Sequence, residues 1–179
     1  MRSYEERAMD FVKELYPYLT TFGAFDRYSF ARYATAVGAF NDDKHRKVQF
    51  ANGVARVAFI TSDYVVKYEY NPNNVDFYGG CENEVVRYAR AEEEGFAYLF
   101  AKISRFIYEG HVFYIMPKVY GIGREQYEDR YADEFMTEEE SDFVHDLGIA
   151  DMHYQNFGFR KGHVCLVDYA GGEVEEEEY

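Results

Sequence analysis

The sequence predicts an α+β fold: a five-stranded antiparallel sheet with one helix inserted after its third strand, then a shorter, mainly helical segment. Three observations predict it. Residues 46–70 hold three apolar runs separated by two turn signals, residues 82–94 carry apolar residues at helical spacing, and residues 103–116 return to two strand-like runs about a third turn.

Taken in order, residues 2–16 form a first helix, with Met9, Phe11, Val12 and Leu15 at helical spacing, and Pro17 is expected to end it. A second helix is expected over 26–37. The sheet begins at residue 46. Asn52-Gly53 suits a type I′ turn because both residues tolerate positive φ, so residues 46–51 and 54–60 form a hairpin around it. Thr61-Ser62-Asp63 makes the next turn and residues 64–70 the third strand. Residues 71–80 are a loop. The inserted helix, 82–94, closes at Gly95 and carries an apolar face of Val85, Tyr88 and Ala89. Residues 103–108 and 111–116 are strands joined at Glu109-Gly110, and Pro117 ends the second. Thr137 with Glu140 is a capping box, since the hydroxyl accepts an early helix N–H while Glu140 reaches back. That helix stops at Gly148. Residues 173–179, mostly glutamate, are expected to be a solvated, mobile tail. The chain therefore divides into a helical extension (1–45), a sheet region (46–118), a second region (119–172) and the tail.

Composition narrows the function. Of 179 residues 47% are hydrophobic, with 19 Tyr and 16 Phe, enough for a packed core and against disorder. A formal net charge of -14 argues against a phosphate-binding surface for nucleic acid and against attraction to anionic lipid, and favours a partner with a basic surface, or none. Cys81 and Cys165 form no disulfide or metal framework. No apolar run approaches a membrane span, so a cytoplasmic protein is expected. The histidines (His45, His111, His145, His153, His163) have no zinc spacing; His153 is expected to brace its loop by hydrogen bonding.

Phosphoryl transfer needs a cation for the phosphates, a carboxylate to hold it, a carboxylate for the nucleophile and hard oxygen ligands for Mg²⁺. Lys67 lies in the third strand, where taken alone it reads as an edge-strand lysine on a solvated face. Glu82 and Glu84 open the following helix. Asp151 stands five residues before Asn156, and Asp168 stands twelve after it at the end of an apolar strand. That spacing lets a loop and a following hairpin bring two carboxylates and an amide to one metal–nucleotide.

Asp151-x-His153-x-x-Asn156, with Lys67 and Asp168 in this order, resembles the protein-kinase-like superfamily. It is most similar to the compact atypical branches: aminoglycoside-phosphotransferase-like enzymes and small bacteriophage-encoded protein kinases. The resemblance spans roughly residues 46–170. It implies an N-lobe over 46–118, a truncated C-lobe over 119–172, and ATP and Mg²⁺ as cofactors. Lys67 would meet the phosphates and Glu84, or Glu82, would pair with it. Asp151 would be the catalytic carboxylate, with Asn156 and Asp168 as the magnesium ligands. Gly53 would lie over the phosphates, and residues 116–119, from Met116 to Val119, would meet adenine. The location implied is the cytoplasm, that of the host if the chain is viral.

The sequence departs from the pattern in four places. It has no Gly-x-Gly-x-x-Gly, Ile149 replaces the usual histidine, and the metal motif reads Asp168-Tyr169-Ala170. Few residues follow Asp168, so a protein substrate is expected to dock elsewhere, for instance on the N-terminal helices. An active minimal protein kinase, a nucleotide-binding regulator without activity, and an acidic mimic of nucleic acid that occupies a basic site all remain open.

Overall fold

A computed structural model describes residues 2–26, 29–53, 55–70, 80–121 and 130–170. The expected loop at 71–80, except its last residue, and the acidic tail lie outside the described residues. The chain divides into two compact units, Met1–Val75 with Ile103–Lys118, and Asp76–Lys102 with Val119–Tyr179. The N-terminal helices thus belong with the sheet, and the inserted helix belongs with the C-terminal half.

In the first unit, α1 (Tyr4–Thr21) starts at a capping box: Ser3 Oγ accepts the Glu6 N–H, and Glu6 accepts the Ser3 N–H. Its buried residues Ala8, Phe11, Val12, Leu15 and Leu19 form one stripe. Pro17 does not end this helix, contrary to the sequence expectation. Its missing N–H forfeits one hydrogen bond, but continuing one turn buries Leu19, worth about 1.5–3 kcal/mol. Helix α2 (Phe30–Lys44) also lies later than expected. Its stripe is Tyr33, Ala36, Val37 and Phe40, and it ends where His45 turns left-handed at φ 51°.

The sheet comprises β1 (Gln49–Asn52), β2 (Arg56–Ile60), β3 (Tyr64–Glu69), β4 (Ser104–Tyr108) and β5 (His111–Pro117), all antiparallel, in the order β1-β2-β3-β5-β4. Two turns fall where expected. Ile60 pairs with Val65 around Ser62-Asp63, and Tyr108 pairs with His111 around Glu109 and Gly110, whose φ values of 49° and 79° make the turn that matches strand twist. The first hairpin differs. Asn52 pairs with Val57, and the Gly53 N–H donates to the Arg56 carbonyl at 2.8 Å, so the reversal comes after Asn52-Gly53. Gly53 does not adopt positive φ.

Strand side chains alternate between faces. Val57, Phe59, Tyr64, Val66, Phe113 and Ile115 point into one core with the stripes of α1 and α2. Phe11 is its centre, edge-on to Phe40 at 5.5 Å and beside Phe59 and Tyr64. Lys67 therefore stands on the other face of the central strand, level with Ala58 and Tyr114.

Among its described residues the second unit holds α3 (Cys81–Glu94), α4 (Glu138–Asp146), two short 3-10 turns (Ala97–Leu99 and Ala132–Phe135) and a three-stranded antiparallel sheet. That sheet consists of β6 (Tyr120–Gly121), β7 (Phe157–Arg160) and β8 (His163–Leu166), in that order. The capping box at Thr137 and Glu140 forms as expected. Lys161 and Gly162, at φ 53° and 85°, reverse the chain between β7 and β8.

At Gly158 the two strands β6 and β7 meet too closely for a side chain. A Cβ there would lie 2.8 Å from Val119 Cγ1 and 2.9 Å from the Tyr120 carbonyl carbon. Gly158→Ala should cost about 1–3 kcal/mol by overpacking, read as a lower urea midpoint. Gly121→Ala, where a Cβ meets nothing within 4 Å, should move stability by no more than about 0.5 kcal/mol.

Candidate functional site

Two charged side chains are buried among the described residues: Lys67, 6% exposed, and Glu84, fully enclosed. Burying an ionised group demands compensation, which makes both exceptional. Lys67 is held on the central strand of the first unit, not on a solvated edge. Glu84 lies on α3 in the second unit. The inward face of α3 is Cys81, Glu84 and Ala91, rotated from the expected Val85–Tyr88–Ala89 face. Glu84 Oε1 accepts the Tyr169 N–H at 3.2 Å, while Glu82 is exposed. Of the two glutamates left open from sequence, Glu84 is the buried one.

The remaining predicted groups share the second unit. Helix α4 runs into residues 147–156, where Ile149 fills apolar space with Val144 and Leu147. This accounts for an aliphatic residue where the resemblance has histidine. Asp151 follows on the surface, its side chain 63% exposed. His153 Nδ1 accepts the Gln155 N–H at 3.2 Å, which puts the ring proton of the neutral tautomer on Nε2, 3.3 Å from Asp151 Oδ1. His153 thus braces the loop by hydrogen bonding, as expected from its position.

Asn156 ties the three motif residues together. Its Nδ2 donates to the Asp151 carbonyl at 2.9 Å, and its own carbonyl accepts the Val167 N–H at 2.8 Å and the Asp168 N–H at 3.4 Å. The β7–β8 ladder pairs Phe157 with Leu166, so Asn156 sits opposite Val167 and beside Asp168. The five-residue and twelve-residue spacings fit because a hairpin folds the second back on the first.

Tyr169 then descends into the core. Its hydroxyl donates to the Ala101 carbonyl at 2.7 Å, its ring meets Phe100 edge-on at 5.1 Å, and burial pushes the phenol pKa well above its ordinary value. A tyrosine is tolerated at this enclosed position because its buried hydroxyl has an acceptor.

The donors suit magnesium. With Nδ2 tied to Asp151, Asn156 offers Oδ1, and Asp168 adds a half-buried carboxylate; both are hard oxygens. No group of three or more His, Cys, Asp or Glu among the described residues is disposed to hold a metal, so a cation here would draw its remaining ligands from water and phosphate.

Two residues of the implied nucleotide set, Met116 and Val119, are buried, and the chain passes between units at Lys118 to Val119, within that segment. At Gly53, also in that set, the N–H donates to the Arg56 carbonyl at 2.8 Å and the carbonyl accepts the Tyr70 hydroxyl at 2.5 Å. Arg87 was not anticipated. Its guanidinium reaches the carbonyls of Leu147, Gly148 and Tyr169. The available signal was its place one turn after Glu84.

No family model matches the chain, and no curated protein does. Among solved structures, the Legionella pneumophila Lpg2603 kinase bound to IP6 is similar at 17% identity and a TM-score of 0.45. The match covers 76% of this chain and 51% of that one, so the chain spans about half its length. A likeness at that level decides neither fold nor activity.

Replacing Glu84 by Ala should cost about 1–3 kcal/mol or more, because the Tyr169 N–H is left buried and unpaired. Glu82→Ala should stay within about 0.5 kcal/mol. Chemical denaturation of both variants checks this. Burial pushes the Cys165 thiol up to about 11, with Arg160 opposing, so it is protonated at neutral pH. Cys81 is buried too. An aromatic disulfide reagent at pH 7.5 should react with neither thiol in the folded protein and with both in denaturant.

Proposed function

We propose that this protein is an Mg·ATP-dependent phosphotransferase of the compact kinase-like type, acting on a hydroxyl of a partner protein. The observation that carries the reading is the Asn156 tie, which fixes Asp151 and Asp168 to one residue through both its side chain and its carbonyl. The order of elements supports it: three strands, a helix, then two strands.

Lys67 supplies the cation for the phosphates and Glu84 the carboxylate that balances it; they are the two buried charged side chains among the described residues. Asn156 Oδ1 and Asp168 hold the cation. Magnesium bound there would neutralise charge developing on the phosphate oxygens. Asp151 accepts the proton of the attacking hydroxyl, and its exposure leaves it within reach of a large substrate. His153 keeps its carboxylate aimed. Backbone between Met116 and Val119 meets adenine. The net charge favours a partner with a basic surface, in the cytoplasm; no described helix is long and apolar enough to cross a membrane.

One observation favours a second reading, a nucleotide-binding regulator without transfer activity: at Gly53 the hairpin N–H is already bonded to Arg56. Two measurements separate the readings. With γ-labelled ATP, Mg²⁺ and cell lysate, the wild type should transfer label, and Asp151→Ala should be slower by about 10²–10⁴-fold. Mg·ATP at 100 times its Kd should add about 2.7 kcal/mol of stability. Stabilisation without transfer supports the regulator. Neither effect would sink both readings.

A further inference from the structure

The residue after Asp168 is gripped from both sides by one helix. Glu84 accepts the Tyr169 N–H, and Arg87, three residues on along α3, donates through Nη1 to the Tyr169 carbonyl at 2.6 Å. The same guanidinium donates through Nε to the Leu147 carbonyl at 2.9 Å and through Nη2 to the Gly148 carbonyl at 3.2 Å.

Of those last two carbonyls, the first belongs to the C-cap of α4 and the second to the residue after it, next to a helix end where C=O groups carry partial negative charge and attract a cation. Leu147 and Gly148 open the segment that carries Asp151, and Tyr169 adjoins Asp168. One planar fork therefore spans the two chain segments on which both motif carboxylates ride. An ammonium group, being a point charge on a flexible stem, has no equivalent fixed geometry. Arg87 is half-buried, and desolvation opposes its charge while Glu84 favours it.

We propose that Arg87 is a positioning residue of the phosphoryl-transfer site, setting the spacing between the Asp151 segment and the Asp168 segment. It touches neither substrate nor metal. It acts through the three carbonyls, much as groups behind a metal's direct ligands fix how those ligands are aimed. The inference rests on the phosphotransfer reading.

The test uses the full chain as wild type, Arg87→Lys and Arg87→Gln, with three readouts: melting temperature, Mn²⁺ affinity in the presence of ADP by electron paramagnetic resonance, and hydrogen exchange of residues 147–156 and 167–170. Arg87→Lys should remain folded, bind Mn²⁺·ADP about 10–100-fold more weakly, and show faster exchange in both segments together. Transfer should fall through kcat, with KM for ATP little changed. Arg87→Gln serves where the lysine variant fails to fold. If a folded variant binds Mn²⁺·ADP as tightly as wild type, whatever its melting temperature, Arg87 is only a structural clasp and the proposal is overturned. If the wild type itself binds no Mn²⁺·ADP, the phosphotransfer reading falls and this inference falls with it, a result distinct from the first.

Discussion

The second unit is organised around a carboxylate withdrawn from water. A buried glutamate is tolerable only where donors are supplied, and at Glu84 one of them is the main chain directly after Asp168. That requirement fixes how the β8 strand leaves its sheet. It also sends Tyr169 inward to Ala101 and Phe100. With Asn156 holding the other side of the same turn, the backbone on both sides of Asp168 is tied down. A site built this way is stiff at the backbone.

Much of the fold was legible in the sequence where local chemistry and tertiary packing agree. Glu109-Gly110 and Thr61-Ser62-Asp63 reverse the chain as their residues prefer, and the Thr137 capping box starts its helix. Elements went wrong where packing overrode local preference. Pro17 sits inside α1 because the stripe carries on to Leu19. Asn52-Gly53 is passed over in a register that sets Phe50 opposite Phe59 and Asn52 opposite Val57, with the Phe50 and Phe59 rings 6.2 Å apart.

The site was legible as spacing but not as geometry. Asp151, Asn156 and Asp168 follow from intervals along the chain. Which glutamate is buried depends on how α3 is rotated, and Val85, Tyr88 and Ala89 pointed to the wrong face. Arg87 had one weak signal, its place a turn after Glu84. Its partners are carbonyls, and every residue has one, so no side-chain pattern announces them.

The strand order of the large sheet has a consequence for synthesis. Strand β3 has β5, not β4, as its second neighbour, so the strand bearing Lys67 waits as an open edge until residues 111–117 emerge. At usual translation rates that interval is roughly 2–8 s. An apolar strand left unpaired for seconds invites pairing with other chains. Helices α1 and α2 precede every strand of this sheet in the chain, so the two helices that share its aromatic core are already made when that exposed edge emerges.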